Sequence, residues 1–520
     1  MTSKNSNKEK IQLTGEDVTI ENVRTVARGL THEVVLAESA RASMLKSRSY
    51  IEGRIAQGEV MYGVNTGFGA FSSVRISDSE IEELQRNLIR SHSAGVGTPF
   101  SKEESRAIMY LRANALARGH SGIRPAVVEK ILEFLNLDII PVIPSQGSVG
   151  ASGDLAPLSH LALALIGEGE VWDENGKVIE IDQLLIRRNL QPLVLQAKEG
   201  LSMINGCQVM TAVGMLGAYD ARRFLWMTDL AGAMSLEALR GSRKAFDPLI
   251  APTRPHPGEA KTARNLLRLM GATSGIAESH ENCNKVQDAY SLRCMPAVHG
   301  AAKDSLGYVW RVLETEANSS TDNPLVFADE NKVLSCGNFH GEPVAFALDF
   351  AAISTSAVAN ISECRIQKLI NPAMSDLPAF LTSQGGLNSG LMIVQVAAAS
   401  LVSENKILAH PASVDSIPTS ADKEDHVSMG TIAARKFVQI LRNSENVVAM
   451  EMLAAAQAID LLNPHKPAAA VLAAHEKIRQ VIPYAAKDRV FSKDITKLRE
   501  LIQSDQLVEV INRSIGQLEF

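Results

Sequence analysis

The chain has 520 residues, 45% of them hydrophobic, with 52 Lys and Arg against 58 Asp and Glu. The net charge is −6 and no basic block occurs, so nucleic acid is not an expected partner. The five cysteines are odd in number and form no Cys-x-x-Cys, which argues against a disulfide framework or a thiolate metal site and for reduced thiols in the cytoplasm.

In chain order, residues 1–10 are polar and read as a disordered tail without the apolar core of a signal peptide. Ile11-Gln12-Leu13 is β-like. Residues 18–29 read as a helix capped near Thr14 or Asp17, and 33–56 as a second helix. Tyr62 precedes a glycine-rich loop, Gly63-Val64-Asn65-Thr66-Gly67-Phe68-Gly69. A helix over 78–89 leads to another such loop, Ser91-His92-Ser93-Ala94-Gly95. Ser101 with Glu104 three residues on predicts a capped helix to Arg118, and Pro125 opens the next, to about Leu135.

After the helix at 158–166, Glu174-Asn175-Gly176-Lys177 reads as the turn of a hairpin, the one clear β element. From about 200 onward the chain is nearly all helix, with apolar runs at 209–238, 341–370, 388–410, 430–462 and 467–480. The uncharged run 377–403 is too polar for a membrane span, and no membrane contact is expected. The expected fold is mainly α. A domain over 11–204 precedes a helical bundle over 205–520, the boundary resting on a compositional shift near 200–205.

Phosphate-loop, zinc-helix and nucleophile-elbow patterns are absent. What stands out is Gly147-Ser148-Val149-Gly150-Ala151-Ser152-Gly153-Asp154, in which four of the first seven residues are Gly or Ala and two are Ser. Such a run lets the backbone fold sharply on itself. In Ala151-Ser152-Gly153 the glycine nitrogen can close a five-membered ring on the alanine carbonyl. Loss of water, including the Ser152 hydroxyl, then leaves an exocyclic methylidene, an electrophile that ordinary side chains do not supply. Other polar strings lie between helices: Asn205-Gly206, Gln287 to Cys294, Thr321 to Pro324, Gly337 to Gly341 and Glu424-Asp425-His426. Each alone is an ordinary connector. Together they supply a base, an arginine for a carboxylate, amides and an acid, the inventory of an amino acid site.

The signature, continuing through Leu155, Pro157, Leu158 and His160, resembles that of the aromatic amino acid ammonia-lyases, and nearly the whole chain shares the likeness. Within that family it is most similar to the histidine-deaminating branch. Ser91-His92 stands where tyrosine and phenylalanine lyases carry His-Leu or Phe-Leu, and Glu424 where they carry Gln. One departure is Met295-Pro296-Ala297-Val298-His299, where Gln-Pro-Gln is common in that branch.

The resemblance implies non-oxidative deamination of L-histidine to trans-urocanate and ammonia; the alternative is a tyrosine or phenylalanine ammonia-lyase or aminomutase. It implies a methylidene-imidazolone (MIO) group made from Ala151, Ser152 and Gly153, which takes up the substrate amine, with no external cofactor and no metal. Tyr62 is then the base for the β-proton, Asn205 supports the MIO group and substrate, and Arg293 clamps the substrate carboxylate. Tyr290, Gln287, Asn323 and Phe339 line the site, while His92 and Glu424 hold the imidazole. A homotetramer with active sites shared between subunits is also implied.

Overall fold

The computed structural model describes residues 10–30, 33–67, 69–71, 74–281 and 285–520. Twenty α-helices and nine strands of two to four residues occur among them, so the mainly α expectation holds. The hairpin expected around residues 174–177 is present: Glu170–Trp172 pairs antiparallel with Val178–Glu180, and Ile140–Pro141 adds a third strand. It is one of four small sheets rather than the sole β element. The expected tail lies outside the described residues except for Lys10, which opens a strand.

Three local expectations are corrected. Glu33–Leu36 is a strand, not the start of a helix; its β-branched Val34 and Val35 suit parallel pairing with Lys10–Leu13, and the helix begins at Glu38. The first helix, Ile20–Ala27, is capped by Thr19, whose side chain and that of Asn22 bond each other's backbone. Thr14 and Asp17 instead bond each other at 2.5 Å. His92 is not in a loop but closes the helix Ile81–His92.

The chain divides into two compact units. The first comprises residues up to Leu216, Trp310–Asp349 and Pro411–Arg435; the second comprises Gly217–Val309, Phe350–His410 and Lys436–Phe520. This differs from a single cut at 204/205. Four of the five crossings fall inside the helices Gln208–Ala238, Met295–Ala317, Glu342–Ile370 and Gly430–Leu461, so no linker marks them.

The first unit is built on Lys102–Ala117, buried at nearly every position from Ser105 onward and capped by the Ser101–Glu104 box. Ile20–Ala27 and Pro125–Asn136 pack against it. A second cluster joins Ile81–His92, Leu155–Leu165 and Glu199–Ile204. This packing positions the site: His92 ends the first of these helices, Ala151-Ser152-Gly153 precedes the second, and Asn205 follows the third.

The second unit has a polar core. Glu451 accepts a two-pronged bond from Arg365 at 2.5 and 2.8 Å and hydroxyls from Ser235 and Ser362, both at 2.6 Å. Asp229 holds His299 Nδ1 at 3.0 Å, Asn265 Nδ2 at 2.8 Å and Lys303. Arg365 also donates to His299 Nε2 at 3.4 Å. Residues 377–403, the uncharged run, form a loop followed by most of the helix Met392–Leu408. Among the described residues, only Glu342–Ile370 has the length and composition to cross a bilayer, and 61% of its apolar window is buried.

Candidate active site

A cavity of about 1380 Å³ lies in the first unit. Tyr62, His92, Ala151, Ser152, Asn205, Asn323, Phe339 and Glu424 all line it, although they span more than 350 positions of sequence. Gly153 lies directly behind Ser152. Gln287, Tyr290 and Arg293 do not line it. They belong to the second unit, where the Arg293 guanidinium stacks 4.5 Å from the Tyr290 ring centre and Tyr290 is 72% exposed.

The Ala151-Ser152-Gly153 turn is held from several sides. Gly153 has φ of +74°, and a Cβ there would come within 2.2 Å of the Gly206 carbonyl oxygen, so only glycine fits. Asp154 N donates to Gly206 O at 2.7 Å, and Gly206 N donates to Ser152 O at 3.3 Å. The fully buried Asp154 carboxylate takes the Ser148 hydroxyl at 3.1 Å and the Thr431 hydroxyl. It also takes the backbone N–H groups of Val209 and Met210, both at 2.9 Å, at the positive end of Gln208–Ala238. Burial holds this carboxyl above its ordinary range, and those four bonds offset the rise only in part.

Asn205 is aimed from below. Its Nδ2 donates to Asp322 Oδ1 and to the Asn323 carbonyl, both at 3.2 Å. Asp322 is itself fixed by Lys198 Nζ at 2.9 Å and Ser202 Oγ at 3.0 Å. Burial alone would raise the Asp322 carboxyl, but Lys198 and Arg112 outweigh it and hold it below the usual range. Arg112 donates to the Asn205 carbonyl at 2.9 Å, and burial lowers its guanidinium to about 10. Asn205 Oδ1 is buried without a partner among the described residues. It is an acceptor left open beside the cavity.

His92 Nδ1 lies 2.9 Å from the Leu88 carbonyl. Donating there leaves Nε2 as an acceptor. Burial pushes the His92 imidazole pKa down, against the pull of Leu88 and Glu424, which favours the neutral ring. Glu424 accepts from Ser152 Oγ and from Thr419 Oγ1, each at 2.9 Å. Its loop is tight: Ser420, Ala421 and Asp422 all have φ of +52° to +61°, and Thr419 and Glu424 bond each other's backbones at 2.9 and 3.3 Å. Three left-handed non-glycine residues cost about 1 kcal/mol or more each. Tyr62 sits in a turn, with the Gly69 N–H 3.5 Å from its hydroxyl. Asn323 Oδ1 takes Ser335 Oγ at 3.1 Å and Cys336 N at 2.8 Å.

At the cavity edge His340, Glu342 and His426 converge, a grouping that could suit a metal ion. His340 is already engaged at both nitrogens, however. Nδ1 accepts from Glu342 N at 3.4 Å and Nε2 donates to the His426 carbonyl at 3.3 Å.

The supports missed from sequence are Lys198 and Arg112, while Asp154 and Asp322 stood in the quoted strings and Thr419 just before Glu424 without being given this role. A lone charge in an apolar context, as Arg112 has within Ile108 to Leu116, is the signal that could have found some of them. Chemically, the cavity brings together a phenol, a neutral imidazole, a carboxylate and an open amide oxygen around one tight turn. These groups can orient a small polar molecule and move protons on it.

Comparison with known proteins agrees. A profile described as aromatic amino acid lyase matches residues 18–480. The chain is 49% identical over 506 residues to histidine ammonia-lyase of Alkaliphilus oremlandii, covering 97% of this chain and 99% of that one. It superposes on histidine ammonia-lyase from Trypanosoma cruzi with a TM-score of 0.91 at 42% identity, covering 97% and 96% of the two chains. Tyrosine aminomutase from Streptomyces globisporus matches with a TM-score of 0.92 at 38% identity, covering 98% and 100%. On this evidence the chain belongs to the aromatic amino acid lyase family.

Proposed function

We propose that the chain deaminates L-histidine to trans-urocanate and ammonia, using an MIO group made from its own Ala151, Ser152 and Gly153. The observation that carries the substrate is the presence of His92 and Glu424 in one cavity with Tyr62 and that turn. An imidazole needs partners for two ring nitrogens. His92 Nε2 and the Glu424 carboxylate together accept both N–H groups of a protonated ring, and either one accepts the single N–H of a neutral ring. A phenyl or phenol ring would leave one or both groups desolvated and unpaired, at a cost of about 1–3 kcal/mol each.

The turn fits the prosthetic group. Gly153 admits no side chain, Asp154 and Gly206 pin the backbone on both sides, and the triplet lies at the positive end of Leu155–Leu165. When present, the group supplies an electrophile that helps ammonia leave. The remaining work falls to ordinary side chains. Asn205 Oδ1 accepts a hydrogen from the substrate amine. Tyr62 takes the β-proton as the Cα–N bond breaks and the double bond forms. Arg293, with Tyr290 and Gln287, reaches the site from a neighbouring copy and pairs with the substrate carboxylate in a two-pronged bond.

That last assignment is supported by exposure. Tyr290 and Val286 are 72% and 99% exposed in the single chain. Phe346, Phe350, Ile353, Ile393 and Val396 also leave large apolar surface uncovered, as expected of a homotetramer with shared sites. Four free cysteines among the described residues suit a reducing compartment, and the cytoplasm is the proposed location.

The test is urocanate absorbance after mixing the protein with L-histidine, with Ser152→Ala as control. A steady rise that the control lacks is expected. No rise with the unaltered protein would overturn the reading.

A further inference from the structure

We propose that Glu424 has a second task before any substrate arrives: it relays the proton with which the Ser152 hydroxyl leaves when the triplet forms its ring. This rests on the reading of Ala151-Ser152-Gly153 as the source of the MIO group.

With Ser152 in its ordinary form, Oγ donates to Glu424 Oε1 at 2.9 Å across 272 positions of sequence. That bond exists only before ring formation, because dehydration removes Oγ. The carboxyl is nevertheless firmly aimed at it. Thr419 Oγ1 holds the other oxygen at 2.9 Å, and the left-handed run Ser420-Ala421-Asp422 sets the loop. On the far side of the turn, Gly206 N donates to the Ser152 carbonyl at 3.3 Å, which makes the Ser152 Cα–H more acidic.

The atoms balance as two dehydrations. Gly153 N bonds to the Ala151 carbonyl carbon and its hydrogen passes to that carbonyl oxygen. This oxygen then leaves as the first water with the Ser152 N–H hydrogen, and a C=N bond forms. In the second step the Ser152 Cα–H and Cβ–Oγ bonds break and Cα=Cβ forms. Oγ leaves as water with its own hydrogen and one proton. Glu424, a carboxylate at the outset, takes the proton from Cα and hands it to the departing Oγ, so it ends unchanged. No oxidant, reductant or metal is consumed.

The test follows intact mass against time after a short pulse of synthesis, for the unaltered chain, Glu424→Gln, Glu424→Ala and Thr419→Val, with circular dichroism to verify folding. Glutamine still accepts the Oγ hydrogen but cannot relay a proton. We expect Glu424→Gln and Glu424→Ala to reach the two-water deficit about tenfold more slowly or worse. Thr419→Val, which frees the carboxyl, should slow it less. A deficit reached at the unaltered rate in either Glu424 variant would overturn the proposal, even if histidine turnover were lost; that pattern would leave the imidazole contact standing. Should both Glu424 variants misfold, an unaltered rate in Thr419→Val overturns it instead. An unaltered chain with no deficit would overturn the reading of the triplet itself, and this proposal with it.

Discussion

The two units each bury a polar network made of similar residues, and the networks end differently. In the second unit Asp229, His299, Lys303, Arg365 and Glu451 close on one another, and none of their side-chain polar atoms is left without a partner. In the first unit Lys198, Ser202 and Asp322 hold Asn205, and the chain of bonds stops at an Asn205 Oδ1 with no partner. The closed network contains a histidine, a carboxylate and a lysine in contact, which resembles a proton relay. It is fully desolvated and its bonds are already made. The open network has spare bonding capacity at the wall of a cavity. A buried acceptor kept without a partner costs stability, so its place beside the cavity marks function more clearly than any histidine–carboxylate pair.

The sharpest way to break this contrast is to remove a group on the open side. Tyr62→Phe should lower kcat by about 10²–10⁴-fold while the unfolding midpoint stays put. Near-normal turnover would take Tyr62 out of the mechanism. On the closed side, Glu451→Gln leaves Arg365 unpaired and should cost about 3–5 kcal/mol in denaturant unfolding, with turnover per folded molecule preserved. Asn205→Ala should do the reverse, with a clear fall in kcat/KM and a stability change within about 1–2 kcal/mol, since it removes an unpaired acceptor with two long bonds. An Asn205→Ala protein that loses only stability would erase the distinction.

A smaller effect concerns acid. Burial depresses the His299 imidazole pKa, with Arg365 and Lys303 adding to that and Asp229 opposing it. The unfolded chain therefore takes up a proton below about pH 6.5 while the folded chain resists it. Stability contributed by neutral His299 is present above that pH and is lost as pH falls, by at most about 1.4 kcal/mol per pH unit. For Asp229 burial alone would raise the carboxyl, but Lys303 and His299 hold it below the ordinary range, so its contribution is lost in the same direction at lower pH. His299→Gln should flatten the slope of stability between pH 7 and 5. An unchanged slope would show that this histidine does not titrate differently on folding.

How much of this was legible in the sequence varies with distance along the chain. The long helices were readable because their apolar runs exceed what a loop or strand holds; the expected 430–462 is Gly430–Leu461 in the structure. The Ser101–Glu104 cap was readable because both partners sit within one turn. The strand Glu33–Leu36 was not, since its partner lies more than twenty residues earlier and a helix follows at once. The division into units left no trace in composition because it runs through helices. At the site, the glycines around Ser152 and Tyr62 advertised themselves as tight turns. Lys198 did not, because its partner Asp322 lies 124 residues away and the pair has no local pattern. Arg293 stood out through its string Gln287 to Cys294, and in the single chain it lies outside the cavity.

The most direct test of the central claim compares initial rates with L-histidine, L-tyrosine and L-phenylalanine on the same preparation, each followed at the absorbance of its unsaturated product. The imidazole pocket formed by His92 and Glu424 predicts turnover of histidine alone, weakened by His92→Gln mainly through a raised KM. Faster release of a product from tyrosine or phenylalanine would contradict it, leaving the tight glycine turn in place and the pocket misread.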